Sequence, residues 1–230
     1  MGTEEPDSSA TLQRFVADAV GATLGCSTDV DACSALAARV DTLLDQAGDY
    51  FRRQGTAVAC RAGCSFCCHL RVMVRPHEAI ALFRHLGSRL PAQIAAAVRA
   101  RLLGNAARIR ELGPAGHALT RLACAFLVDG HCCAYEVRPS ACSGYHSLDR
   151  ARCEAAHADP GEQAAIPVSA ALGHIAGELN AGLERALAAA GLDGAEAELH
   201  TAVAALVRDP ALIARWRAGR SLLKGAGAAR

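Results

Sequence analysis

Apolar residues recur three and four positions apart over most of the chain, the period of helices that bury one face. In "ALAARVDTLLDQAGDYFRR" they set Leu36, Val40, Leu43, Leu44 and Ala47 on one stripe, with Asp29 and Asp31 as N-caps and Gly55 as the stop. "PHEAIALFRHLG" repeats the pattern from Pro76 to Gly87. Proline is tolerated at a first helical position because the N–H it lacks has no partner there anyway. Pro91 opens "PAQIAAAVRARLLGNAARIREL", predicted to break or bend near Gly104 and to end at Gly113-Pro114. Further helices are predicted over about 167 to 190, 194 to 208 and 210 to 223, the last two divided by Asp209-Pro210.

Strand patterns are few. The best is "AFLVDGHCCAY", where Asp129-Gly130 reads as a type I′ hairpin turn between two short apolar arms. The expected fold class is therefore mainly α, a helical domain with a compact cysteine-rich region and at most a short β-hairpin. With 230 residues and 52% hydrophobic content the chain can bury one sizeable core. The expected organisation is a helical segment over 1–57, a cysteine-rich region with inserted helices over 58–155 and a helical segment over 156–230, together one compact unit.

Charge narrows the partners. There are 24 basic and 23 acidic residues and no basic stripe interleaved with aromatics, so no nucleic-acid partner is expected. The start, "MGTEEPDSSATLQRF", is acidic where a secretory leader is basic. No run reaches the roughly 18 to 20 apolar residues of a membrane span. No membrane partner is expected, and the expected compartment is the cytoplasm.

Eleven cysteines in a reducing compartment point away from disulfides and toward metal ligation. Nine lie between Cys60 and Cys153: Cys60, Cys64, Cys67, Cys68, Cys124, Cys132, Cys133, Cys142 and Cys153. Cys26 and Cys33 sit in an Ala-rich helical pattern and read as small apolar packing residues. In "CRAGCSFCCHL" the spacings of four and three put Cys60, Cys64 and Cys67 on one face if the segment is helical, with Cys68 pointing elsewhere. Gly63 equally allows a turn, with Cys64-x2-Cys67 as a metal-binding knuckle. The hairpin at Asp129-Gly130 would bring Cys124 and Cys132 together. Pro139 would open a helix with Cys142 in its first turn, where the positive end of the helix dipole favours thiolate.

These residues resemble a known pattern. "CRAGCSFCC" followed by "CAFLVDGHCCAYEVRPSAC" resembles the bacterial cysteine-cluster family labelled a zinc- or iron-chelating domain, the YkgJ-like family. The matching residues are Cys60, Cys64, Cys67 and Cys68, then Cys124, Phe126 and Leu127, then Cys132, Tyr135, Arg138, Pro139 and Cys142. The likeness covers roughly 58 to 153. Ser143 stands where many relatives carry Arg, and Cys133 is an extra thiol, so whether Cys132 or Cys133 ligates stays open. The resemblance implies a metal-binding domain, and some members are similar to flagellin lysine N-methylases.

The candidate metal ligands are Cys60, Cys64, Cys67, Cys68, Cys124, Cys132, Cys142 and Cys153, for zinc, iron or an iron–sulfur cluster. Neighbouring side chains diverge, so Cys67 and Cys68 are expected to serve different directions, and the first stretch to share metal with the later thiols. His69, His131 and His146 adjoin cysteines and are candidates to complete a Cys3His sphere. His77, His85, His117, His157, His174 and His200 read as ordinary helix or loop residues. Arg61, Arg71, Arg138 and Arg152 are candidates to offset thiolate charge.

Two other readings use the same residues. One is a metal-dependent enzyme modifying a protein or peptide, with Tyr135, Tyr145 and His146 as acid–base candidates. The other is a radical S-adenosylmethionine enzyme, since Cys60-x3-Cys64-x2-Cys67 has that spacing; such a fold requires alternating strands and helices, which this chain does not offer.

Overall fold

The computed structural model describes residues 30–61, 63–159, 161 and 165–223. Cys26 and the Asp29 and Asp31 caps lie outside the side chains it describes. The protein is mainly helical. α1 (Val30–Arg53) carries its apolar stripe on Cys33, Leu36, Ala37, Val40 and Leu44, none more than 5% exposed. Arg52 and Arg53 in its last turn complement the negative end of the helix dipole.

α2 (Pro76–Ser88) starts at Pro76 as expected. Its first turn is closed by Glu78, whose carboxylate accepts the Arg75 N–H at 2.7 Å. α3 (Ala92–Ala118) runs unbroken through Gly104, so the predicted break there is incorrect. Gly104 is exposed, and its cost of about 1 kcal/mol in a helix is outweighed by burial of Val98, Leu102, Ala106 and Ile109 on the other face. The helix instead kinks at Gly113, whose φ of 64° suits glycine alone, and resumes through Pro114.

α4 (Ser140–Ser143) and α5 (Arg150–Ala158) are short, and α6 (Ala170–Ala189) is capped by the Ser169 hydroxyl. α7 (Leu199–Arg208) is capped by Glu198, which accepts the Thr201 N–H at 2.7 Å. α8 (Leu212–Arg217) is much shorter than the predicted 210–223 segment. Its Trp216 is fully buried and donates its indole N–H to Asp193 O at 2.7 Å.

The predicted hairpin is present as β2 (Leu127–Val128) against β3 (His131–Cys132), with positive φ at both Asp129 and Gly130. A second antiparallel ladder joins β1 (Met73–Val74) to β4 (Ala197–Glu198). Two residues per strand are too few for alternation to register in a sequence. α1 lies along α2, and α7 packs against both α2 and α3. One apolar cluster extends from Cys33 to Leu222 and takes in Phe126, Ala134 and Val137 beside the thiols. No helix among the described residues is long and apolar enough to cross a membrane.

Candidate metal centre

The stretch from Cys60 to His69 resolves in favour of the turn. Cys64 donates its N–H to Arg61 O at 3.0 Å, Gly63 has a φ of 78°, and only Phe66–His69 winds into a 3₁₀ turn. The single helical face expected as one alternative for Cys60, Cys64 and Cys67 is not formed, because the positive φ at Gly63 interrupts it.

The later thiols are brought to this turn from two directions. Cys124 donates its N–H to Cys68 O at 2.8 Å, stitching the hairpin's entry to the first stretch. Past the hairpin, Cys133 donates to Phe126 O at 2.9 Å and so aligns the Cys132-Cys133 pair with Cys124. Cys142 lies within α4, which Glu78 anchors by accepting the Ser140 N–H at 2.8 Å, while the Ser140 hydroxyl bonds Asn180 of α6 at 2.9 Å. Gly144 lets this turn sit against α6: a Cβ there would fall 2.8 Å from Ala176 Cβ.

The electrostatics show which thiols lie near one another. Burial pushes the Cys142 thiol well above its ordinary value, and Cys124, Cys67 and Cys132 add to that push as nearby like charges. The expected lowering by a helix start is thus overturned. A four-residue helix aligns few peptide dipoles, and burial outweighs them. Cys124 is driven by burial to about 12, with Cys132 and Cys133 contributing. Cys67 is raised by its hydrogen bond with Cys68 and by burial.

A second group forms around Cys60, raised by burial and by Cys67, Cys64 and Cys153, in that order after the opposing Ser147 N–H. Ser147 holds this group together. Its N–H meets Cys60 Sγ at 3.3 Å, and its hydroxyl accepts from Cys153 Sγ at 3.1 Å. Tyr145 faces the same three thiols, Cys153, Cys67 and Cys60, and is pushed by burial first and by them second to about 12. Cys67 therefore belongs to both surroundings, and Cys33 is buried in the apolar core as expected.

Of the four arginines singled out, Arg138 alone faces the thiols; Arg61, Arg71 and Arg152 are exposed. Its charge favours thiolate at both Cys67 and Cys132. Two carboxylates of α1 hold it in place, Asp41 at 2.9 Å and Asp45 at 2.8 Å, and its guanidinium lies 3.6 Å over the Tyr135 ring. Tyr135 thus serves as a half-exposed platform for Arg138.

The histidines sort differently from the sequence reading. His131 is exposed and bound to Asp129 O, His146 is buried against Gly48 of α1, and His69 bonds Ser65 O at 3.1 Å. His157 was expected to be ordinary. It stands instead beside Cys67, Cys153 and Tyr145 in a small recess, its ring 4.4 Å from that of His69. Its place was readable in Cys153-x3-His157, a spacing that sets both on one helical face. His200 also has a part: paired with Glu198 at 2.8 Å, it accepts the Ala125 N–H at 3.2 Å and fixes the backbone beside Cys124.

As placed, no three His, Cys, Asp or Glu side chains among the described residues converge tightly enough to hold an ion. The donors nonetheless fit the chemistry of zinc, iron or an iron–sulfur cluster. They are soft thiols brought near one another from distant parts of the chain, with one guanidinium that favours the ionised form of Cys67 and Cys132. No protein-family profile, curated protein or solved structure matches this chain.

Proposed function

We propose that the protein is a cysteine-cluster metal-binding protein whose thiols hold zinc, iron or an iron–sulfur cluster. One observation carries this reading: Cys142, Cys124, Cys67 and Cys132, from three separate stretches, are near enough that the other three each raise the Cys142 thiol, although no three of them converge as placed. Burial holds these thiols neutral, and neutral thiols gain no strong attraction from one another. A bound cation would offset both the mutual repulsion of the thiolates and their desolvation. The likeness to the YkgJ-like family, carried by the same cysteines, supports the same conclusion.

Cys60, Cys64 and Cys153 form the other half of the donor set together with Cys68, whose thiol hydrogen-bonds that of Cys67 instead of diverging from it as the sequence suggested, because the 3₁₀ turn brings the two sulfurs together. Closing the sphere takes rotation of thiol side chains, starting with release of the Cys67–Cys68 hydrogen bond. A zinc-, iron- or cluster-loaded protein of this kind is a resident of reducing compartments such as the cytoplasm.

Space argues for a structural, storage or sensing role over chemistry on a peptide. The recess beside Cys67 and Cys153 has about 10 Å³, the room of one water. The roomier cleft, about 480 Å³, is lined by Arg75, Glu184 and Glu196 and carries no thiol. The radical S-adenosylmethionine reading requires a strand-and-helix barrel. Among the described residues the sheets are two antiparallel pairs of two-residue strands.

The test is metal analysis with a visible absorption spectrum on anaerobically purified protein. At least one equivalent of zinc or iron is expected, with sulfur-to-iron absorption in the latter case. Less than about a tenth of an equivalent of any transition metal would overturn the reading.

A further inference from the structure

We propose that the cleft between α6 and the β1–β4 ladder binds a zwitterionic amino acid with an apolar side chain, a function beyond the metal-binding reading and independent of it. The cleft holds about 480 Å³, within the roughly 300–1,000 Å³ of small-molecule sites. The ladder pairs Val74 with Ala197, so the next residues along, Arg75 and Glu196, stand opposite each other in the cleft lining. Glu184 reaches it from α6, and Ala188, one turn further on the same helix face, joins Leu192 and Ala195 as an apolar wall. The connection that carries this wall is pinned by the Trp216 indole N–H on Asp193 O at 2.7 Å.

Arg75 supplies the observation that points to a ligand. Its side chain is only 10% exposed, yet its Nε has no hydrogen-bond partner. Nη1 is bound to Glu196, whereas Nη2 lies 3.8 Å from Glu184, too far for a hydrogen bond. The Nε and Nη2 N–H groups form one edge of the guanidinium, spaced to take both oxygens of a carboxylate. Among the described residues that edge has no hydrogen-bonded acceptor. An unpaired buried donor is costly, and a ligand carboxylate satisfies two donors at once. Nε is shielded from bulk water, so the carboxylate enters by displacing Glu184, which is 71% exposed and meets Arg75 through charge alone.

The charges decide the class of ligand. A simple anion meets the repulsion of Glu184 and Glu196, and a simple amine meets that of Arg75. A zwitterion answers both, with its carboxylate on the Arg75 edge and its ammonium on the displaced Glu184, whose oxygens accept no hydrogen bond from the described residues. Its apolar side chain covers Ala188, Leu192 and Ala195 and removes that wall from water. Binding moves no proton and makes no covalent bond.

The experiment is amide NMR of the full chain titrated with L-leucine, with leucinamide, which lacks the carboxylate, and with isocaproate, which lacks the ammonium. Leucine is expected to give saturable shifts at Arg75 and over 184–196, and each analogue to bind weaker by about tenfold or more, the worth of one charged hydrogen-bonded pair. Glu184→Gln alters an exposed side chain and should bring leucine down to the level of isocaproate. Arg75→Lys keeps the charge but removes the fork, and should bring leucine down to the level of leucinamide. Arg75 also caps α2, so if Arg75→Lys fails to fold the analogues and Glu184→Gln decide. No saturable shift with leucine, an analogue that binds as well as leucine, or an unchanged leucine affinity in Glu184→Gln overturns the proposal. The metal-binding reading uses no residue of this cleft and stands or falls by its own test.

Discussion

Along α1, five side chains from Cys33 to Leu44 are at most 5% exposed, whereas Cys60, Cys64, Cys67, Cys68, Cys124, Cys132, Cys133 and Cys142 are all only partly buried. The helical region draws its order from apolar area removed from water, roughly 25 cal/mol per Å². The thiol-bearing lobe is assembled from 3₁₀ turns, two-residue strands and a four-residue helix, joined by single hydrogen bonds such as Cys124 N–H to Cys68 O. Such pieces are marginal alone. The difference teaches that the first region is held by its own packing, while the second, on the metal-binding reading proposed above, leaves its closure to an ion.

The largest effect should come from removing one donor of that lobe. On the metal-binding reading, Cys142→Ser is expected to abolish metal binding at its group and to loosen residues 60–69 as much as its own turn, since Cys67 is among the thiols near enough to raise Cys142. Structural zinc contributes on the order of 10 kcal/mol to the folding of small domains. Hydrogen exchange read together with metal content checks this. If Cys142→Ser keeps full metal content and unchanged protection at 60–69, the two stretches do not share a centre.

The converse change sharpens the comparison from the other side. Trp216 is fully buried in the helical region, and Trp216→Ala should cost about 3–5 kcal/mol through the cavity it leaves. Asp193 O also loses its donor. Metal content per folded molecule should stay unchanged. Denaturant unfolding with metal analysis of the folded fraction reads both, and metal loss in proportion to destabilisation would show that the regions are one cooperative unit.

The same contrast decides how much was legible. The stripe of Leu36, Val40 and Leu44, the start at Pro76 and the Asp129-Gly130 turn could be read because each is a local signal whose tertiary context agrees with it. Gly104 misled because an exposed glycine in a helix is tolerated when the opposite face packs. The β1–β4 ladder joins residues more than a hundred positions apart and leaves no local trace. The identity of the thiols was plain, but their grouping was not. It depends on Ser147, Glu78 and His200, ordinary polar residues whose importance comes only from what they touch. His157 could have been weighed from its spacing to Cys153, yet nothing in the sequence sets that face of α5 against Phe66.

The smallest expected effect lies on the seam between the regions, where Arg138 of the thiol lobe is held by Asp41 and Asp45 of α1. Burial raises the Asp41 carboxyl to about 6, the Arg138 charge opposes it, Asp45 adds repulsion, and the hydrogen bonds from Arg138 and Ser143 recover only part. A carboxyl raised on folding binds its proton more tightly in the native state. Its stabilising contribution is full below its ordinary value of 3.8 and is lost as pH rises through about 6. A shift of about two pH units corresponds to roughly 3 kcal/mol at most. In Asp41→Asn the amide oxygen can still accept from Arg138 Nε, and this dependence disappears. The stability of the wild type relative to Asp41→Asn should therefore fall between pH 4 and about 6.5 and be flat above that range. Urea unfolding of both proteins across the range measures it, and a difference that rises with pH would mean that Arg138 serves Asp41 before Asp45 and that the seam is held by one ion pair.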